Sequence, residues 1–292
     1  MAEAAVISAA PPSRLRRLLR EPRAVIAGAF ILFLLFCAVF APLIAPLDPL
    51  EQDLLMEKAP PIWMDGGDPN FLLGADSLGR DVLSRLIHAA RVSMIVAFVA
   101  GSLACLLGTM LGLLAGFFGG WVDTVISRLV DIWMSFPPVL LSILLVAVLG
   151  SGLHSVIVAI VVIDWTRFCR VVRAETLLQS KLEYVDSAVT LGMKRGRILF
   201  REILPNVFPV ILVLLSLEMG IAVIVEAILS FVGLSVSSDT PTWGGMIAEG
   251  RQVIHHAWWI LVFPLGALFL TVLAFNQLGD GLRNALDPAL RR

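Results

Sequence analysis

Lysine occurs only at Lys58, Lys181 and Lys194 in the 292 residues, and none of the three follows a glycine. A phosphate-cradling loop needs glycine followed by lysine and Ser/Thr, so the chain holds no ATP site of that kind. Neither an H-E-x-x-H zinc helix nor a G-x-S-x-G elbow occurs, and no other catalytic constellation is left to support an enzyme. Charge is scarce as well, at 15% of residues and net −1. Soluble domains carry about 25%, and a nucleic-acid binder needs a basic face. The three cysteines, Cys37, Cys105 and Cys169, are far apart and sit in or beside apolar runs. They are expected to be small core residues rather than a disulfide or a metal set. His255 and His256 are neighbours with no third ligand nearby, and beside Trp258 and Trp259 they fit an interfacial belt better than a metal site.

What is abundant is apolar sequence, 58% of residues with a mean hydropathy of +0.90. A spanning helix needs about 20 mostly apolar residues. Six stretches qualify: about 24–47, 92–118, 130–150, 153–171, 207–233 and 257–279. The fold expected is therefore all-α and polytopic. The first apolar run is too long for a secretory signal and is expected to be a retained helix. Lys and Arg fix the orientation. With the N-terminus inside, the inner segments hold five (residues 1–23), one (Arg128), eight (166–205) and three (279–292), against four (48–91) and one (Arg251) outside. Both termini are expected on the inner side. Arg80, Arg85 and Arg91 run against this count and read as a short interfacial helix, "GRDVLSRLIHAAR", leading into the second span. Residues 48–75 and 234–256 are expected to be irregular outer loops, rich in turn residues.

Three features interrupt the apolar runs. Gly108, Gly112 and Gly116 recur every fourth residue, the pattern of a face that admits close helix packing. Asp164, Glu218 and Glu226 lie in apolar stretches, where a charge is costly and usually faces an interior or a path. Glu218 and Glu226 are a little over two turns apart and are candidates either for a polar path lining or for structural pairs. Asp164 leans structural, with Arg167 and Arg170 within helical reach. The third feature is "YVDSAVTLGMKRGRILFREILPN", residues 184–206. Val185, Ala188, Val189 and Leu191 fall on one side of a helix and Asp186 and Ser187 on another, with Gly192 allowing close approach. Pro205 and Pro209 bracket the start of the next span. A charged amphipathic segment of some twenty residues is expected to be a surface for a partner.

"DSAVTLGMKRGRILFREILP" resembles the "EAA" loop of binding-protein-dependent ABC importer permeases: E-A-A, three residues, Gly, nine residues, I-x-L-P. Asp186, Ser187, Ala188, Gly192, Leu204 and Pro205 occupy that pattern's places, with Asp for Glu, Ser for the first Ala, and Glu202 for Ile. "LLGADSLGRDVLSRLIHAARVSM" (72–94), "AGFFGGWVDTVISRLVDIWMSFPPVLL" (115–141), "WTRFCRVVRAETL" (165–177) and "EAILSFVGLSVSSDTPTWGGMI" (226–247) are similar to the C-type permease of dipeptide, oligopeptide and nickel importers. The resemblance implies a type I ABC importer permease fold in a prokaryotic inner membrane. It implies a cytoplasmic segment 1–23, a first helix and extracytoplasmic cap 24–91, a core 92–282 and a tail 283–292. A coupling helix at about 184–196, including Tyr184, would dock on a partner ATPase. The partners implied are a second homologous permease, two cytoplasmic ATPase domains that bind the ATP and Mg, an extracytoplasmic binding protein, a peptide and membrane lipid. Nickel or another small solute is the alternative cargo, and a stand-alone secondary transporter the alternative class.

Overall fold

The computed structural model describes residues 21–236 and 239–286; of the terminal segments expected at 1–23 and 283–292, residues 1–20 and 287–292 lie outside the described residues. The first helix, α1 (Pro22–Ile44), opens on a proline, whose missing N–H costs nothing in a first turn. Residues 45–81 then form a cap with one 3₁₀ turn, Leu54–Met56, and a single bridge between Ala75 and Asp81.

Helix α2 (Val82–Ile95) is started by Asp81, whose carboxylate accepts from the Ser84 amide at 2.8 Å. It continues through a π-helical segment, Val96–Ala100, into α3 (Gly101–Phe118), making one rod of 37 residues. The separate interfacial helix expected at 79–91 is thus the first three turns of the second span. Nothing between residues 91 and 92 stops an α-helix, so hydropathy alone placed the boundary too late.

The third expected span, 130–150, is not one helix. Helix α4 (Gly120–Met134) and helix α5 (Pro138–Leu149) meet at 88°. Pro138 disfavours helical backbone at the residue before it, and Pro137 is extended, with ψ 121°. Helix α6 (Leu153–Gln179) is 27 residues long and carries Asp164 just before its midpoint and Arg167, Arg170 and Arg173 after it. After α7 (Glu183–Thr190), a second 37-residue rod runs from α8 (Arg195–Ile198) through a π segment, Leu199–Ile203, into α9 (Leu204–Phe231). The fifth span was expected to open at Pro205 and Pro209, yet both prolines lie inside this rod. Pro205 and Pro209 each lack an N–H, so two ladder bonds are missing near the start of an otherwise continuous rod. Helix α10 (Trp243–Val253) is capped by Thr242, and α11 (Trp259–Leu286) closes the chain.

Among the described residues, four helical stretches are long and apolar enough to cross a bilayer: α1, the two rods and α11. The bent α4–α5 pair is a fifth candidate, and the charges of α6 keep it outside that set.

Helices α1, α2, α10 and α11 share one apolar core around Ile31, Leu34, Met94, Trp243, Trp259 and Phe275. The two tryptophans tie α10 to α2 and α11 to the cap: Trp243 Nε1 donates to the Leu86 carbonyl and Trp259 Nε1 to that of Ala75, each at 3.1 Å. The glycine seam faces α6. A methyl at Gly108 would lie 2.3 Å from the Trp165 oxygen, at Gly112 2.7 Å from that of Cys169, and at Gly116 2.7 Å from the Thr176 side chain. Only glycine lets the two backbones come this close.

Candidate functional site

Helix α7 sits at the foot of the bundle, where the long helices end. Its inward positions, Val185 and Ala188, are buried against Leu113 of α3, Val172 of α6 and the Ile198–Ile211 stretch of the second rod. Tyr184, Met193 and Leu204 pack around the same cluster. The opposite face is open: Asp186, Ser187, Thr190 and Gly192 are exposed, as are Val189 at 60% and Leu191 at 82%. Exposed apolar side chains beside a carboxylate and two hydroxyls are the composition of a contact surface.

The helix ends after eight residues, not at 196 as expected. Gly192 has φ +75°; its amide donates to the Val189 carbonyl at 2.9 Å, and the Met193 amide to that of Ala188 at 3.1 Å. This is the left-handed glycine cap that terminates helices, with Met193 folding back on Ala188. A side chain at Gly192 would meet nothing within 4 Å inside the chain, so the glycine serves the turn here. The Ser187 and Thr190 hydroxyls donate to carbonyls four residues back, Glu183 and Asp186, at 2.9 Å each. Tyr184 donates to Gln179 Oε1 at 3.0 Å, and Gln179 in turn donates to Glu175 at 3.0 Å, joining α7 to the end of α6. Burial pushes the Tyr184 phenol above its ordinary range. Pro205 is exposed on the rod below α7, not on α7 itself.

The membrane-depth carboxylates divide. Asp164 and Glu218 are each 4% exposed and lie close enough to Arg167 to interact with its charge. Arg167 Nη1 reaches both Glu218 oxygens at 3.3 Å. Arg170 pairs with Asp131 across a half-open surface at 3.3 Å, and Arg173 with Asp123 on α4. Three arginines at i, i+3 and i+6 on α6 therefore each find a carboxylate on another helix, a ladder whose spacing was visible in sequence but whose partners were not. Glu226 is 0% exposed and separate from Glu218. It accepts from Ser230 at 2.6 Å and Ser235 at 3.3 Å, with Ser93 alongside.

A second cluster escaped sequence reasoning. Fully buried Asp76 in the cap accepts from Arg80 Nε at 2.8 Å and from Arg85, and both arginines reach Glu249 on α10, at 3.0 and 2.8 Å. The only signal was that Arg80 and Arg85 ran against the charge count.

The helical bundle is that of a transport-system inner membrane component. Residues 108–292 match the family described as the binding-protein-dependent transport system inner membrane component, and the chain belongs to that family. Residues 13–61 match the N-terminal TM domain of oligopeptide transport permease C. Among curated relatives, the di/tripeptide transport system permease protein DppC of Pseudomonas aeruginosa is 42% identical over 90% of this chain and 86% of its own length. The glutathione transport system permease protein GsiD of Pectobacterium atrosepticum is 42% identical over 94% of this chain and 90% of its own. The dipeptide permease DppC of Haemophilus influenzae is 39% identical over 92% and 91%. The fold is shared with the MetNI methionine ABC transporter in inward-facing conformations, at a TM-score of 0.59 and 19% identity over 70% of this chain and 97% of that one.

Proposed function

We propose that the chain is one of two permease subunits of an ATP-driven importer that carries di- or oligopeptides. The observation that carries this reading is α7: a short helix with an open, partly apolar face, seated on a cluster that touches both rods and α6. ATP and Mg belong to two partner ATPase domains in the cytoplasm, and an extracytoplasmic binding protein delivers the ligand. Closure of the ATPases pushes on Asp186, Ser187, Val189 and Leu191. Val185 and Ala188 pass that displacement to Leu113, Val172 and Ile203, which belong to three different long helices. A close-packed cluster moves as a body rather than absorbing the push, so the helices tilt together. Residues 1–23 and 283–292 face the cytoplasm, 24–91 form the first span and outer cap, and 92–282 the core, in the inner membrane of a prokaryote. Peptide cargo is supported by relatives named for di/tripeptides, dipeptides and glutathione.

The test is uptake by cells expressing Asp186→Lys or Gly192→Val. Both variants are expected to insert normally, lose peptide uptake and retain less ATPase on purification. Normal uptake in both would sink the proposal. Uptake of nickel but not peptides by the unmodified system would keep the architecture and change the cargo.

A further inference from the structure

A groove of about 470 Å³ runs between α1 and α11 at the foot of the bundle. Its floor is Ala27 and Ala274, both buried, and its walls are Ile26 and Phe30 on one side and Leu270 and Leu273 on the other. The two alanines are what make it concave, since larger side chains there would fill it. The helices are antiparallel, so Arg23 and Gln277 lie together at one end, and the remaining lining is apolar. Arg23 is exposed and has no ion-pair partner among the described residues. From Arg23 to Phe30 the groove extends about 10 Å along the helix axis, most of the roughly 15 Å depth of one hydrocarbon leaflet.

We propose that this groove holds one anionic phospholipid, its phosphate at Arg23 and Gln277 and an acyl chain lying over Ala27 and Ala274. The charge argues for this occupant. An apolar helix of a second permease would leave the Arg23 guanidinium unpaired at its edge, whereas a lipid phosphate matches it in geometry and sign. The outer face of α1 agrees, with Ile26 at 69%, Leu32 and Val39 at 67% and Leu43 at 81% exposed in a helix without an acidic residue. In the sequence, four more arginines, Arg14, Arg16, Arg17 and Arg20, precede Arg23, and clusters of basic residues next to a membrane helix favour anionic headgroups.

The test is native mass spectrometry of the assembled transporter, released in detergent and offered equal amounts of phosphatidylglycerol and phosphatidylcholine. The unmodified complex is expected to retain phosphatidylglycerol preferentially. Arg23→Gln should cut that preference about fivefold, the weight of one cationic side chain at an anionic surface, and Arg23→Lys should keep most of it. Gln277→Glu, which leaves the floor untouched, should abolish the preference without changing phosphatidylcholine retention. Equal preference in Arg23→Gln, Gln277→Glu and the unmodified complex would overturn the assignment. So would retention by the isolated chain but not by the assembled transporter, which would give the groove to the second permease.

Discussion

The glycine seam between α3 and α6 permits a quantitative test. In Gly108→Ala the new methyl would sit 2.3 Å from the Trp165 carbonyl oxygen, 2.5 Å from Phe168 Cβ and 3.0 Å from the Cys169 amide. These atoms are backbone or Cβ and cannot rotate away, so the helices must part by about 1 Å to restore van der Waals contact, an overpacking cost of ~1–3 kcal/mol. Alanine returns ~1 kcal/mol of helix propensity, leaving a net loss of up to about 2 kcal/mol. Gly266, inside α11, is the internal control: a methyl there meets nothing within 4 Å, so Gly266→Ala gains the propensity without the clash. The two variants carry the same chemical change and are expected to move in opposite directions. At about 2–4 °C per kcal/mol for a chain of this size, their melting temperatures in detergent should differ by several degrees. The seven tryptophans report the transition by intrinsic fluorescence. Equal melting temperatures for Gly108→Ala and Gly266→Ala would show that the seam is not close-packed and would remove the reason for its glycines.

Three further outcomes are expected. Asp76→Ala leaves the buried Arg80 and Arg85 with Glu249 alone and should cost ~3–5 kcal/mol, measured as a lower melting temperature and faster proteolysis of the cap. Glu249→Gln, at the half-exposed edge of that cluster, should cost less. Arg167→Gln strands Glu218 and should destabilise by a similar ~3–5 kcal/mol, while the double variant Arg167→Gln/Glu218→Gln recovers most of the loss in the same melting assay. Tyr184 is the single tyrosine of the chain, so absorbance at alkaline pH reads it directly, with a midpoint expected above about 10. A raised folded-state value means that this group's contribution is fully present below the unfolded value. It is lost as pH rises through the folded one. Tyr184→Phe should remove that pH dependence.

The long apolar helices were legible because hydropathy over twenty residues outweighs any local signal: 24–47 became Pro22–Ile44 and 257–279 became Trp259–Leu286. Boundaries were missed where the backbone overrode hydropathy. Asp81 starts a helix ten residues before the apolar run, and Pro137–Pro138 divide what reads as one run into two directions. At α7 only half of the expected apolar side was legible: Val185 and Ala188 are buried, but Val189 and Leu191 are exposed on the other face, and the helix ends early because Gly192, taken as a point of approach, is a helix stop. The seam glycines read as a packing face, yet nothing local to them named α6 as the partner. The charge pairs were the least legible. Arg167 was placed with Asp164 on its own helix, and its hydrogen bonds go to Glu218, 51 residues on. Such pairings exist only once the helices are packed, so no window along the chain contains them.

The two π-helical segments carry a consequence for register. A π turn takes up one residue more than an α turn, so everything beyond it is rotated by about 100° relative to an uninterrupted α-helix. Val96–Ala100 separates Arg85, which points into the cap's charge cluster, from Gly108, Gly112 and Gly116, which face α6. These two sets of side chains are kept in phase by a single extra residue between them. Deleting one residue from Val96–Ala100 would leave composition, hydropathy and length almost unchanged. The shortened segment would close as plain α-helix and keep the glycines on α6, whereas one extra residue elsewhere between Arg85 and Gly108 would turn them away by about 100°. Leu199–Ile203 lies within the foot cluster itself, near the start of the other rod, with the carboxylates Glu218 and Glu226 beyond it. In each rod, five residues of π-helix set the angle between the side chains before them and those beyond.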